Sequence, residues 1–202
     1  MSSLLKLVAP PLALDEPQER PWSHAQLAGR LTELSSSRAG AQLTFAMSLV
    51  LEAQREHEPA AWLSSRNATF FPPDAQACGV DLAALAVVRL DAPQELGRAA
   101  DQLLRSGAFG LLVLELGASS LAAPLVTRLL GLTQKHNAAL LFLTTKPREA
   151  PSLSPLISLR AEVSRTRRAD GKFLCELHAL KDKRRAPGWT HHEECRGPAG
   201  LR

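Results

Sequence analysis

The chain has no tyrosine, and only six phenylalanines and three tryptophans among its 202 residues. A single-strand-binding module needs aromatic faces for the bases, so that class is disfavoured. Cysteines number three, Cys78, Cys175 and Cys195, and they lie far apart in the chain. That odd count argues against a disulfide scaffold and fits a reducing compartment. No run approaches the roughly 18–20 apolar residues of a membrane span. The short apolar run near the start is broken by Pro10, Pro11, Asp15 and Glu16. The serine runs 35–37 and 64–65 lack a histidine in a position to activate them, so no nucleophile–base set is visible.

What is present is an ordinary globular composition, 45% apolar and 22% charged, in a length that suits one domain with tails. The net charge of +4 is unevenly placed. Residues 1–145 hold 11 Lys/Arg against 13 Asp/Glu, and residues 146–202 hold 13 against 7. A basic third on a near-neutral body suits an anionic partner, either DNA or an acidic protein face, or simply solvates the end.

The chain is organised around residues 29–56. They read as a short strand, Arg30–Leu34, then a small-residue loop, then an amphipathic helix 41–56 with Leu43, Ala46, Met47, Val50 and Leu51 on one stripe. A phosphate-binding loop here needs G-x-x-x-x-G-K-[ST], with glycines to bare the amides, a Lys for phosphate and a hydroxyl for magnesium. Ser36 stands at the first Gly, Gly40 precedes the second, Ala41 replaces it, Gln42 takes the Lys place and Leu43 the Ser/Thr place. The geometry of a phosphate cradle is expected and its chemistry is missing.

Residues 1–28 hold a proline-rich arm, in which Ser23 caps a short helix. After the organising helix, strands are expected at Ala60–Leu63, Leu85–Leu90, Phe109–Leu116 and Ala138–Thr144. Helices are expected from Pro72 to Gly79, from Ala92 to Ser106 and from Ser119 to His136. The unbroken apolar runs suit strands buried on both faces of a parallel sheet. Ile157, Leu159, Ala161 and Val163 then alternate with polar residues, as do Phe173, Cys175, Leu177 and Ala179. Asp170-Gly171 between them predicts an antiparallel hairpin with one wet face. The fold class is therefore α/β, a mostly parallel sheet flanked by helices with an antiparallel C-terminal hairpin. The core runs over 29–183, and the polar, Gly/Pro-rich 184–202 is expected to be a flexible basic tail.

Two further groups stand out. Arg165, Arg167, Arg168 and Lys172 at the hairpin turn, with Lys181, Lys183, Arg184 and Arg185 at its end, form a basic set for phosphates or an acidic partner. His191-His192-Glu193-Glu194-Cys195 carries zinc-ligand residue types at a spacing that matches no usual site, so it is read as tail and no metal is expected.

The order of elements resembles the RecA recombinase core over about residues 29–186. The resemblance is carried by Gly29-Arg30-Leu31, Ala53-Gln54-Arg55-Glu56, Gly79-Val80-Asp81-Leu82, Leu104-Arg105-Ser106-Gly107-Ala108, Ala139-Leu140-Leu141-Phe142-Leu143 and Lys181-Asp182-Lys183. It implies a RecA-like core whose nucleotide-site positions are replaced. Gln42 and Leu43 fall where the Lys and Thr hold phosphate and magnesium, Arg66 stands closest to the water-activating Glu, and Thr145 falls at the γ-phosphate sensor. Glu115 alone keeps the acid that ends the apolar strand. The two DNA-gripping loops are shortened to about Gly117–Ala123 and Pro147–Pro155. Lys181 and Lys183 match lysines that reach a neighbouring protomer's nucleotide. This pattern resembles the RecA-like SOS proteins of the ImuA/SulA-related type. That resemblance implies a cytoplasmic, nucleoid-associated pseudo-ATPase without a cofactor, acting in translesion synthesis. Its implied partners are an ImuB-type inactive Y-family polymerase homologue, with RecA and an error-prone C-family polymerase beyond it. A DNA-binding or RecA-filament-modulating protein is the alternative.

Overall fold

The computed structural model describes residues 20–37, 40–65, 70 and 72–196. Eight strands form one sheet in the order β3-β2-β4-β5-β1-β6-β7-β8. They are β1 Leu31–Ser36, β2 Ala60–Ser65, β3 Leu85–Leu90, β4 Leu111–Gly117, β5 Ala139–Thr145, β6 Leu159–Arg167, β7 Lys172–Asp182 and β8 Thr190–Arg196. The pairs from β3 across to β6 are parallel, and β6–β7–β8 are antiparallel. The helices are α1 His24–Leu27, α2 Gln42–Arg55, α3 Pro72–Ala77, α4 Pro93–Ser106 and α5 Ala123–Lys135. The expected α/β class and the antiparallel C-terminal extension are both present.

Local chemistry explains most boundaries. Ser23 caps α1 by accepting the Gln26 N–H. Glu95 reaches back to the Ala92 amide at the start of α4, and Gly107 ends that helix at φ 68°. An added Cβ at Gly107 would sit 2.8 Å from His136 Nδ1, so both the turn and the close approach require glycine.

The sheet separates two cores. On one side Leu34, Trp62, Val113 and Leu141 pack with Phe45, Leu49 and Val50 of α2. On the other, Leu31, Leu63, Leu114 and Phe142 pack with Leu96 and Leu104 of α4 and Leu129 of α5. The central strands are covered on both faces, which is why their sequences are apolar throughout.

Several expectations are corrected. The stretch 184–202 is not simply a flexible tail: Thr190–Arg196 pairs with β7 as an eighth strand. The free edge of β7 supplies backbone partners to a segment whose side chains show little apolar signal. The buried stripe of α2 includes Phe45, Leu49 and Ala53, while Leu43 and Leu51 are only partly buried. Phe45 is enclosed because it also meets Trp22 ahead of α1 at 6.3 Å and His191 of β8 at 5.9 Å between ring centroids. The helix α5 starts at Ala123, with Pro124 in its first turn. The wet face of the hairpin fails at Arg160, which is only 4% exposed.

Candidate functional site

At the carboxyl ends of the central strands, β1 lies between β5 and β6, and ligands of open α/β sheets bind where such strands end. The structure brings most of the residues expected at a degenerate nucleotide site together there. Ser36 closes β1 in register with Thr145 of β5. Gly40 crowds Ser36 so closely that an added Cβ would lie 2.4 Å from the Ser36 hydroxyl. Ala41 is buried beneath the start of α2, and Leu43 packs toward the core.

Gln42 decides the character of this corner. Its amide Nε2 donates to the Leu34 carbonyl at 2.9 Å and the Thr144 carbonyl at 2.7 Å. It therefore stitches the ends of β1 and β5 together, and both amide hydrogens are used on the protein's own backbone. Glu115 sits half-buried on β4 and accepts a hydrogen bond from the Trp62 indole. The described cation beside this corner is Lys146, whose amide donates to the Ser36 carbonyl and whose ammonium pairs with Glu33. Arg66 lies outside the described residues.

The basic set does not form one cluster. Lys172 opens β7 and Lys181 nearly closes it, about 30 Å apart at about 3.3 Å per strand residue. At the hairpin tip, Arg165 lies over the Phe173 ring at 4.7 Å. Arg168 and Lys172 both reach Glu194 of β8, at 2.9 and 3.4 Å, and Arg167 is exposed. At the opposite end, the Lys183 and Lys181 ammonium groups donate to the Pro155 carbonyl at 2.8 and 3.4 Å. Burial, helped by Lys183, pulls the Lys181 amine below its ordinary value. Arg184 donates to the Gln26 and Ala28 carbonyls and Arg185 to the Gln26 side chain, so both hold α1 in place. The extended length of β7 puts the two groups at opposite ends of the hairpin.

Sequence reasoning missed the buried charges. Arg30 and Asp182 form an ion pair with side chains 3% and 1% exposed. Arg30 also donates to the Ser158 hydroxyl, and the Trp189 indole donates to Asp182 at 3.1 Å. Burial would raise the Asp182 carboxyl, but the Arg184 amide, Arg30 and Trp189 together hold it below the usual carboxylate range. Burial wins at Arg30 and lowers its guanidinium from the ordinary value. Glu33 is fully buried, paired with Lys146 and bonded by Thr144 and the Leu153 amide. Glu33 was detectable as an acid inside an apolar strand. Arg160 was hidden by its place in an alternating pattern.

Among the described residues, no group of three His, Cys, Asp or Glu is arranged to hold a metal ion. His191–Cys195 belongs to β8, where alternate residues face opposite sides of the sheet. Cys175 and Cys195 become diagonal neighbours on β7 and β8. Burial, with Cys175 beside it, pushes the Cys195 thiol up to about 12, which leaves it protonated and unreactive near neutral pH. No helix among the described residues is long and apolar enough to cross a membrane.

No family model matches the chain. Against curated proteins, it is 34% identical over 87 residues to the RecA protein of Corynebacterium jeikeium. It is 31% identical over 87 residues to the RecA protein of Fusobacterium nucleatum. Over that stretch the chain is similar to RecA. The likeness spans 43% of this chain and 23% of either RecA. The RecA-like chain thus matches under a quarter of the length of those relatives.

Proposed function

We propose that this RecA-like chain is a pseudo-ATPase that serves as an adaptor in damage-inducible translesion synthesis. In this reading it docks an ImuB-type inactive Y-family polymerase homologue, with RecA and an error-prone C-family polymerase as further partners at the nucleoid. One observation carries the non-catalytic half of the reading. The side chain at the phosphate-lysine place, Gln42, is neutral and spends its donors on Leu34 and Thr144. A lost charge-assisted contact to phosphate removes roughly 1.5–3 kcal/mol of affinity, and Leu43 offers magnesium no oxygen. The adaptor half is supported by the resemblance to the ImuA/SulA-related group and by the projecting hairpin.

The test pairs two assays. Phosphate release from ATP should not exceed that of a Glu115→Gln variant. An ImuB-type partner should co-purify with the wild-type chain and be lost from Arg165→Glu/Arg167→Glu. ATP turnover above the variant would refute the pseudo-ATPase, and failure of the wild type to capture the partner would refute the adaptor.

A second reading, contact with DNA phosphates, is favoured by the exposed Arg167 and the half-exposed Arg168 on the same tip. Affinity for an oligonucleotide would then fall steeply with salt, and the slope would flatten in the same double variant.

A further inference from the structure

Between β5 and β6 the segment 146–158 runs without helix or strand. Such a segment ordinarily turns its carbonyls to water and moves. Here those carbonyls are taken by the chain's own cations. Arg160 donates to Pro147 and Arg148 at 3.1 and 3.2 Å and to Ala150 as well. Lys146 donates to Pro151 at 2.7 Å, and Lys183 to Pro155 at 2.8 Å. The Leu153 amide donates to buried Glu33 at 2.8 Å. Leu153, Leu156 and Ile157 lie on the α4/α5-side core, and prolines 147, 151 and 155 reduce the freedom gained on release.

We infer that segment 146–158 is a strap latched shut by two buried charges, Arg160 and Glu33, and that the surface it presents is constant, waiting on neither nucleotide nor DNA. The physical reason is what opening would leave behind. Lifting the strap strips Arg160, 4% exposed, of three carbonyls, and takes the Leu153 amide from Glu33, 0% exposed. A buried charge without its partners is strongly unfavourable, so the open state is rarely visited. The two latches also sit on the strands flanking the strap's path, Glu33 on β1 and Arg160 on β6. Glu33 holds its middle through Leu153, and Arg160 holds its start through Pro147, Arg148 and Ala150. The inference goes beyond the adaptor reading and does not depend on which macromolecule docks.

Amide hydrogen exchange on the full chain tests it, read by mass spectrometry and, for Leu153, by NMR. In the wild type, Leu153 should exchange at least about 100-fold more slowly than residues 169–171 at the hairpin turn. Magnesium ATP or an oligo-dT strand should leave that rate unchanged. Arg160→Gln should speed exchange in peptides covering 146–158 by about 10-fold or more, with β4 and β5 keeping their protection. Wild-type strap amides as fast as the hairpin turn would overturn the inference, as would a change in their rate on adding ATP or DNA. Because Arg160→Gln can also unfold the sheet, seen as lost protection in β4, Lys146→Met serves as the second variant. It removes the counter-charge of Glu33, and an unaltered strap there would likewise overturn the latch.

Discussion

Arg30→Met isolates the buried Arg30–Asp182 ion pair. Methionine keeps most of the aliphatic volume and removes the guanidinium. Asp182 then retains the Arg184 amide at 2.9 Å and the Trp189 indole at 3.1 Å but loses its counter-charge. Removing one member of a buried pair costs about 3–5 kcal/mol. For a chain of this size each kcal/mol moves Tm by roughly 2–4 °C, so Tm should fall by roughly 6–20 °C at pH 7 by calorimetry. The pH dependence follows from Asp182, whose folded-state carboxyl lies below its ordinary value. A depressed carboxylate contributes its stability above the unfolded value, about 3.9, and loses it as pH falls through the folded value. The gap between wild type and variant should therefore be full at pH 7 and narrow below about pH 4. Removing both charges, in Arg30→Met/Asp182→Leu, should recover most of the loss, since an apolar pair of similar volume is often neutral or better. A Tm within 2 °C of wild type, or a gap equal at pH 3 and pH 7, would refute the reasoning.

Two other outcomes are expected. Restoring the motif residues with Gln42→Lys/Leu43→Thr should not give micromolar ATP binding by calorimetry, because the new ammonium faces the same Leu34 and Thr144 carbonyls that now hold Gln42. Gly107→Ala should lower the urea midpoint by an amount worth about 1–3 kcal/mol, since a Cβ at φ 68° meets His136 at 2.8 Å. An unchanged midpoint there would show that the turn relaxes freely.

Much of the architecture was legible in the residues. Leu111–Leu116 and Ala139–Thr144 are apolar on consecutive positions because both of their faces are covered, and that pattern has few other readings at strand length. Asp170-Gly171 announced the hairpin because only a few residue types accept its turn. The strand β8 was not legible. Its His-His-Glu-Glu run carries no clean alternation, and it is held by main-chain bonds to β7 that any sequence can make. The bonds made by Gln42 were not legible, since the two carbonyls belong to strands whose neighbouring order no local pattern reveals. The basic residues fall at the two ends of the hairpin, as expected, and therefore do not make one patch. Nearness along a hairpin says little about nearness in space once the two ends lie about 30 Å apart.

By itself, then, the order of residues settled what depends on local conformation and burial: most of the strands and helices, and where many of them stop. The tertiary structure alone decided which charges are buried and with whom. Arg30 meets Asp182, Glu33 meets Lys146, and Arg160 meets the strap's carbonyls. A charge leaves water only where its partners are already in place, and those partners lie up to 152 positions away along the chain.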